Sequence, residues 1–162
     1  MRQPPTPVRC QTGRVIAVEI ADPGRTRELR RSVLRPERSP GDPLPGDDLD
    51  DAVHLAAVVD GVVLSTCFVF PEPCPWRPAD LPAWHLRQMA TAAEARGRGL
   101  GGAVLDAALG VARERGGRLL WCNVREPAVE FYRRHGLRPH GEIFTDEGHR
   151  IPHLRMWAEL GT

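Results

Sequence analysis

A glycine-rich turn at residues 96–102, Arg-Gly-Arg-Gly-Leu-Gly-Gly, constrains the fold of this chain more than any other stretch. An apolar-leaning segment, residues 84–91, leads into the turn, and an amphipathic segment, residues 100–115, follows it. Glycines let the backbone approach a ligand closely, and the free N–H groups at a helix start carry partial positive charge. The pattern predicts a strand, a tight turn and a helix whose N-terminus binds an anion such as phosphate, with Arg96 and Arg98 adding charge.

The spacing of the glycines distinguishes three kinds of phosphate-binding turn. A P-loop requires a lysine followed by Ser or Thr, and all 22 basic residues of this chain are arginine. The dinucleotide fingerprint Gly-x-Gly-x-x-Gly is present at Gly97, Gly99 and Gly102. It calls for an acidic residue about 20 positions later, where the chain reads Leu-Leu-Trp-Cys-Asn. A third pattern, Arg/Gln-x-x-Gly-x-Gly/Ala, is met by Arg96, Gly99 and Gly101.

The third pattern resembles the pyrophosphate-binding motif of the GNAT superfamily of acyl-CoA N-acyltransferases. Other segments resemble the family in the same order. Residues 89–96 resemble its fourth strand and the link to the loop, and residues 118–124 resemble its fifth strand. Residues 127–137 resemble the helix that follows, and residues 151–156 the start of the last strand. The resemblance is clear from about Val53 to Leu160. It implies a single N-acetyltransferase domain over residues 1–162, with an α/β (α+β sandwich) fold and a mixed, mainly antiparallel sheet flanked by helices.

Local patterns along the chain predict the same class of fold. Runs rich in β-branched or apolar residues predict strands at residues 14–20, 53–59, 62–70, 84–91 and 119–124. Apolar spacing and end signals predict helices from Asp22 to Leu34, over residues 100–115 and from Pro127 to Gly136. The proline-rich residues 71–82 are expected to form a surface loop, and residues 1–12 a flexible tail.

Composition excludes several classes of partner. A formal net charge of +1 gives no broad electrostatic case for nucleic-acid or membrane binding. No apolar run approaches the roughly 20 residues of a membrane span, and the N-terminus has no apolar signal core. The four cysteines show no Cys-x-x-Cys spacing, and the histidines near the C-terminus lack the helical spacing of a zinc pair. We therefore expect a cytoplasmic protein with no metal site.

The resemblance implies acetyl-CoA as the cosubstrate and assigns residues to it. Backbone N–H groups of the turn and two arginine side chains would bind the pyrophosphate: Arg96, Gly97, Arg98, Gly99, Leu100, Gly101 and Gly102. The pantetheine arm would pair with the fourth strand at Met89, Ala90 and Thr91, where one N–H group would polarise the acetyl carbonyl. Asn123, near the end of the fifth strand, would contact the pantetheine or an ordered water, or else cap the strand.

Acetyl transfer to an amine needs a general acid for the departing thiolate and a base for the amine. Tyr132, the only tyrosine, matches the family's general acid toward the CoA sulfur; the alternative is a packing pair with Phe131. His85 aligns with the glutamate of histone-type members, and an imidazole could accept the proton directly or through water. A base matters because a primary amine with a pKa near 10.4 is only about one part in a thousand neutral at pH 7. His54 and His153 are weaker candidates.

The implied function is direct transfer, in a ternary complex, of an acetyl group from acetyl-CoA to a primary amine of a small molecule or peptide. An aspartate cluster after the first helix could hold a cationic amine or be a solvated loop: Asp42, Asp47, Asp48, Asp50 and Asp51. Two alternatives stay open: a non-catalytic acyl-CoA sensor on the same fold, and a nucleotide-binding domain using Gly-x-Gly-x-x-Gly. Dimerisation is common in the family, so the resemblance is compatible with a homodimer, although nothing in the sequence determines the oligomeric state.

Overall fold

The structure is a computed structural model that describes residues 6–9, 15–145 and 150–161. The strands are β1 (Thr6–Arg9), β2 (Val15–Ala21), β3 (Val53–Val59), β4 (Val62–Pro71), β5 (Ala83–Thr91), β6 (Leu119–Arg125), β7 (Arg138–Thr145) and β8 (Pro152–Glu159). The α-helices are α1 (Pro23–Leu34), α2 (Leu100–Glu114) and α3 (Val129–Arg134), and single 3-10 turns form at Ala93–Ala95 and Glu126–Ala128. No helix in these described ranges is long and apolar enough to cross a membrane.

The strands form one eight-stranded sheet in the order β1-β2-β3-β4-β5-β6-β8-β7. Every neighbouring pair is antiparallel except β5 and β6, which run parallel because the crossover helix α2 connects them. The fold class predicted from the sequence, a mixed and mainly antiparallel sheet flanked by helices, is confirmed.

The apolar stripe of α2 forms the centre of the hydrophobic core. Its buried residues pack against side chains of the central strands that alternate onto the same face of the sheet, including Leu55 and Cys67. The opposite face carries His54, Phe68 and His85, and it lies under α1 and the loop of residues 35–52. The two sides of the sheet therefore differ: α2 covers an apolar side, and α1 covers a side with buried polar groups.

Two strands are absent from the sequence prediction. Thr6–Arg9, within the stretch expected to be a tail, pairs antiparallel with β2, so the tail prediction is wrong there; residues 1–5 and 10–12 lie outside the described ranges. β7 pairs with β8 at the end of the sheet, but nearly all its residues are exposed, so it lacks the apolar alternation that marks a half-buried strand. Asp22 occupies the N-cap position of α1 without a side-chain capping bond.

Candidate active site

A cleft opens where β5 and β6 separate. The two strands are paired only from Ala83–His85 to Leu119–Trp121 and then diverge. A cavity of about 280 Å³ lies beyond this point, and its walls include Met89 of β5, Asn123 of β6 and Tyr132 of α3. Strands that part leave backbone N–H and C=O groups available, so an extended ligand can bind in the cleft as an added strand.

A β-bulge on β5 shapes one wall of this cleft. Phe68 of β4 pairs with Arg87, whereas Thr66 pairs with Ala90, so β5 carries an extra residue between these pairs. Gln88 there adopts a φ of +54°, which is uncommon for a residue with a side chain. Its amide oxygen accepts a hydrogen bond from Arg30 at 2.9 Å, and its nitrogen donates to the Pro45 carbonyl at 2.6 Å. These contacts hold the bulge in place.

The glycine-rich turn lies beside the cleft and has the conformation that its sequence predicts. Gly97 and Gly99 have φ values of +78° and +81°, and Gly99 is the N-cap of α2. The next N–H groups belong to the first turn of the helix, where no intrahelical acceptor exists. A Cβ atom on Gly101 would lie 3.4 Å from the Thr91 hydroxyl and 3.6 Å from Phe131, which also lines the cavity. The turn therefore presents backbone donors next to the cleft.

The other predicted cofactor residues occupy different environments around the turn. Arg96 and Arg98 are exposed, and Leu100 is buried, so only its backbone can reach a ligand. Ala90 is buried in the sheet, and the Thr91 hydroxyl is bonded to Ser65 at 2.8 Å. Asn123 is exposed and Met89 half-buried, and both line the cavity. Of these predicted cofactor residues, Met89 and Asn123 are the ones whose side chains line the cavity.

Tyr132 lies at the boundary between the core and the cavity. Its side chain is only 6% exposed and packs edge-on against Phe131, with the ring centroids 5.1 Å apart. Burial raises the pKa of Tyr132 well above its usual value, and the nearby thiols of Cys122 and Cys67 act in the same direction. The phenol therefore keeps its proton at neutral pH and can act as a donor toward a group in the cavity.

His85 lines the closed end of the cavity, where β5 and β6 are still paired. Its ring stacks on Trp121 with centroids 3.6 Å apart, and its Nδ1 lies 2.6 Å from Oε2 of Glu72. Because a carboxylate only accepts, Nδ1 carries the hydrogen, and Nε2 keeps its lone pair. Burial lowers the pKa of His85 to about 3, and the charge of Arg87 acts in the same direction. The ring is therefore neutral at pH 7.

The two weaker histidine candidates have different positions. His153 lines the cavity and donates from Nδ1 to the Ile151 carbonyl at 2.7 Å. His54 is 2% exposed and packs against Phe68 under α1, so it is enclosed in the fold rather than placed on the cavity wall. The structure thus keeps His153 as a candidate base and removes His54.

The aspartate cluster does not form a cation-binding surface at the cavity. Asp47 accepts a hydrogen bond from Arg27 Nε at 2.8 Å and forms an ion pair with buried Arg30 at 2.7 Å. Asp42 accepts a bond from the Ser39 N–H at 3.2 Å. The remaining three aspartates are exposed, and the loop contributes Leu44 to the cavity instead. These contacts show that Asp47 and Asp42 hold the loop together.

Sequence reasoning missed the polar residues that complete the cavity. Glu72 orients His85, and arginines from α1, the loop after it, β5 and β6 line the walls: Arg30, Arg35, Arg87 and Arg125. A single arginine or glutamate in a strand or a loop has no spacing that marks it as functional. Only the alternation of β5 and β6, which places every second residue on the α1 face, could have indicated Arg87 and Arg125.

The sequence of this chain is similar to those of known acetyltransferases. The model of the Acetyltransferase (GNAT) family matches residues 25–137, and the chain belongs to this family. Members of the family use acetyl-CoA. The chain is also 29% identical, over 138 residues, to the uncharacterized N-acetyltransferase YitI of Bacillus subtilis (strain 168). That match covers 85% of this chain and 91% of YitI.

Solved structures share the fold at low sequence identity. Escherichia coli ElaA superposes with a TM-score of 0.68 at 17% identity, covering 88% of this chain and 98% of ElaA. An aminoglycoside 6'-N-acetyltransferase complexed with coenzyme A gives a TM-score of 0.71 at 13% identity, covering 90% of this chain and 97% of that enzyme. The GNAT domain of S. lividans PAT superposes with a TM-score of 0.69 at 20% identity, covering 96% of this chain and 97% of that domain.

Proposed function

We propose that this protein transfers an acetyl group from acetyl-CoA to a primary amine of a small molecule or peptide, by direct transfer in a ternary complex. The observation that carries the proposal is the separation of β5 and β6 next to a turn with two left-handed glycines. A neighbouring fold complexed with coenzyme A and a relative named as an N-acetyltransferase support it.

The cosubstrate supplies an activated acetyl thioester, and this chain's residues hold it. The first N–H groups of α2 suit the pyrophosphate because they lack helical acceptors, and exposed Arg96 and Arg98 add charge. The separated part of β5, around Met89, offers backbone groups to the pantetheine arm. An N–H group there would stabilise negative charge that develops on the acetyl oxygen. Asn123 lies on the facing wall and would orient the arm.

Two side chains would move the protons of the reaction. The amine nitrogen bonds to the acetyl carbon as the carbon–sulfur bond breaks; His85 accepts the amine proton through Nε2, directly or through water. Tyr132 donates its proton to the departing thiolate. Burial keeps the Tyr132 phenol protonated and the His85 ring neutral, so the phenol can donate a proton and Nε2 can accept one. The low pKa of His85 also makes it a weak base, so positioning must supply much of its effect.

Substitution of Tyr132 tests the general acid. Tyr132→Phe keeps the ring in its buried place and removes only the hydroxyl, so we expect kcat to fall about 100-fold while acetyl-CoA affinity stays unchanged. Phe131→Leu is the matched control, because it alters the packing partner and no proton donor. Near wild-type turnover in Tyr132→Phe, with intact affinity, would refute the assignment.

Ligand-induced stabilisation tests the cosubstrate independently of turnover. Acetyl-CoA or CoA at 100 times the dissociation constant should stabilise the protein by about 2.7 kcal/mol, measured as a thermal shift. A shift with NAD alone would favour the nucleotide-binding alternative. Binding of acetyl-CoA without acetylation of any amine in a broad panel would favour the non-catalytic sensor.

A further inference from the structure

The cavity wall is cationic, although the chain as a whole carries a formal charge of only +1. Four of the sixteen residues that line the cavity are arginines, and none of the sixteen is Asp or Glu. Two histidines, His85 and His153, also line the cavity. A cationic amine such as a polyamine would find no carboxylate on this wall, whereas an anionic group would find several donors.

The arginines on the wall differ in what neutralises them. Arg30 is fully buried and its charge is compensated by Asp47 at 2.7 Å. Arg87 and Arg125 are half-buried, and within residues 15–145 and 150–161 neither forms an ion pair with a carboxylate. Two positive charges that line one cavity without a carboxylate partner favour an anionic ligand there.

Register places the two arginines on opposite sides of the cleft. Arg87 pairs with Phe68, so it shares the α1 face with His85, two residues earlier on β5. Arg125 pairs with His153, and it shares that face with Asn123, two residues earlier on β6. Arg87 therefore lines the cavity from the β5 side and Arg125 from the β6 side, both beyond the point where the two strands separate.

We propose that the amine acceptor carries a carboxylate or phosphate group, which Arg87 and Arg125 bind while the amine faces the transfer site. The inference rests on the proposed acetyl transfer and specifies its substrate class. A guanidinium from each wall can bind the two oxygens of a carboxylate or phosphate through charge-assisted hydrogen bonds. The proposal differs from the cationic amine that the aspartate cluster could have held, since Asp47 of that cluster is already paired with Arg27 and Arg30.

Matched acceptor pairs test the preference. Amino acids are compared with their amides, phosphoethanolamine with ethanolamine, and spermidine serves as a cation, with release of the CoA thiol as the readout. We expect kcat/KM to be at least about 10-fold higher for the acid of a pair. The amide has the lower amine pKa and is less protonated, so this preference cannot arise from amine ionisation. The two pairs also distinguish a carboxylate from a phosphate substrate.

Charge-removing variants show whether the two arginines cause the preference. Arg87→Gln and Arg125→Gln should each raise KM for the acid acceptor by about 10- to 100-fold, with little change for the amide and none in acetyl-CoA affinity. Arg115→Gln is the matched control: it removes the same charge from an exposed residue at the end of α2, outside the cavity lining. An equal loss for acid and amide, or a loss of acetyl-CoA binding, would overturn the inference.

The outcomes separate this inference from the proposed function. If wild-type protein fails to bind acetyl-CoA, or binds it and acetylates nothing, the proposed function fails. Calorimetric binding of each acid and amide to the protein, with free CoA added where the protein binds it, then still decides the charge preference. If acetylation occurs and the neutral or cationic acceptors are preferred, the proposed function stands and the inference is wrong. Absence of any preference also overturns it.

Discussion

His54 makes the folding stability of this protein sensitive to mild acid. The ring is 2% exposed, and neither nitrogen has a hydrogen-bond partner among the described residues. Burial lowers the pKa of His54 from 6.5 to about 4; the charge of Arg30 acts in the same direction, and Asp47 opposes it. The folded protein therefore holds this ring neutral over a pH range in which the unfolded chain protonates it.

The sign and size of the effect follow from proton linkage. Between pH 6.5 and about 4 the unfolded state binds more protons at this position, so the free energy of unfolding falls as the pH falls. Each pH unit in that window corresponds to about 1.4 kcal/mol. The loss attributable to His54 is therefore about 2 kcal/mol at pH 5 and is absent above pH 7.

The variant His54→Leu removes the titrating group at a site where it makes no hydrogen bond. Urea unfolding, followed by tryptophan fluorescence at several pH values from 7.5 to 5, should show that the variant loses about 2 kcal/mol less than wild type over this range. Buried His85 contributes a pH dependence of the same sign in both proteins, so its contribution cancels when the two curves are subtracted. His140→Gln, at an exposed ring, is the control. Parallel curves for wild type and His54→Leu would refute the reasoning.

Two further substitutions probe other contacts. Gly117→Ala would place a Cβ atom 2.7 Å from the Ala112 carbonyl oxygen, which cannot move freely, so we expect a loss of about 1–3 kcal/mol in stability. Gly110→Ala in α2 meets nothing within 4 Å and should gain about 0.5–1 kcal/mol; equal thermal shifts would contradict this. Arg30→Met removes one of the two arginine partners of Asp47 and should cost about 1–3 kcal/mol in urea unfolding, since Arg27 still compensates the carboxylate. A loss below about 0.5 kcal/mol would show that the Arg30–Asp47 ion pair does not secure the loop.

The elements that could be predicted from the sequence are those with strong local signals. The helix α2 has an apolar stripe at helical spacing and two glycines before it that adopt left-handed conformations, and the predicted range differs from the observed one by a single residue. β7 could not be predicted in the same way, because an exposed strand at the end of the sheet has no apolar alternation. Its pairing with β8 stabilises it, and a local pattern does not encode such pairing.

The polar contacts around the cavity lie beyond local sequence patterns for a different reason. Arg30 and the amide of Gln88 are separated by 58 positions, and Glu72 and His85 by 13. No spacing rule connects such pairs, since only the packing of α1 and the 71–82 loop against β5 brings them together. His85 and Tyr132 were predicted from a resemblance, and their catalytic roles remain proposals.

The short parallel pairing between β5 and β6 limits which substitutions can stabilise this protein without loss of the cleft. Three residue pairs join these strands, whereas β6 and β8 are joined by seven. Longer pairing between these two strands would add backbone hydrogen bonds and would also fill the space in which a ligand must lie. The most direct gain in stability at the centre of the sheet is therefore incompatible with an open cleft, and stabilising substitutions must accumulate elsewhere.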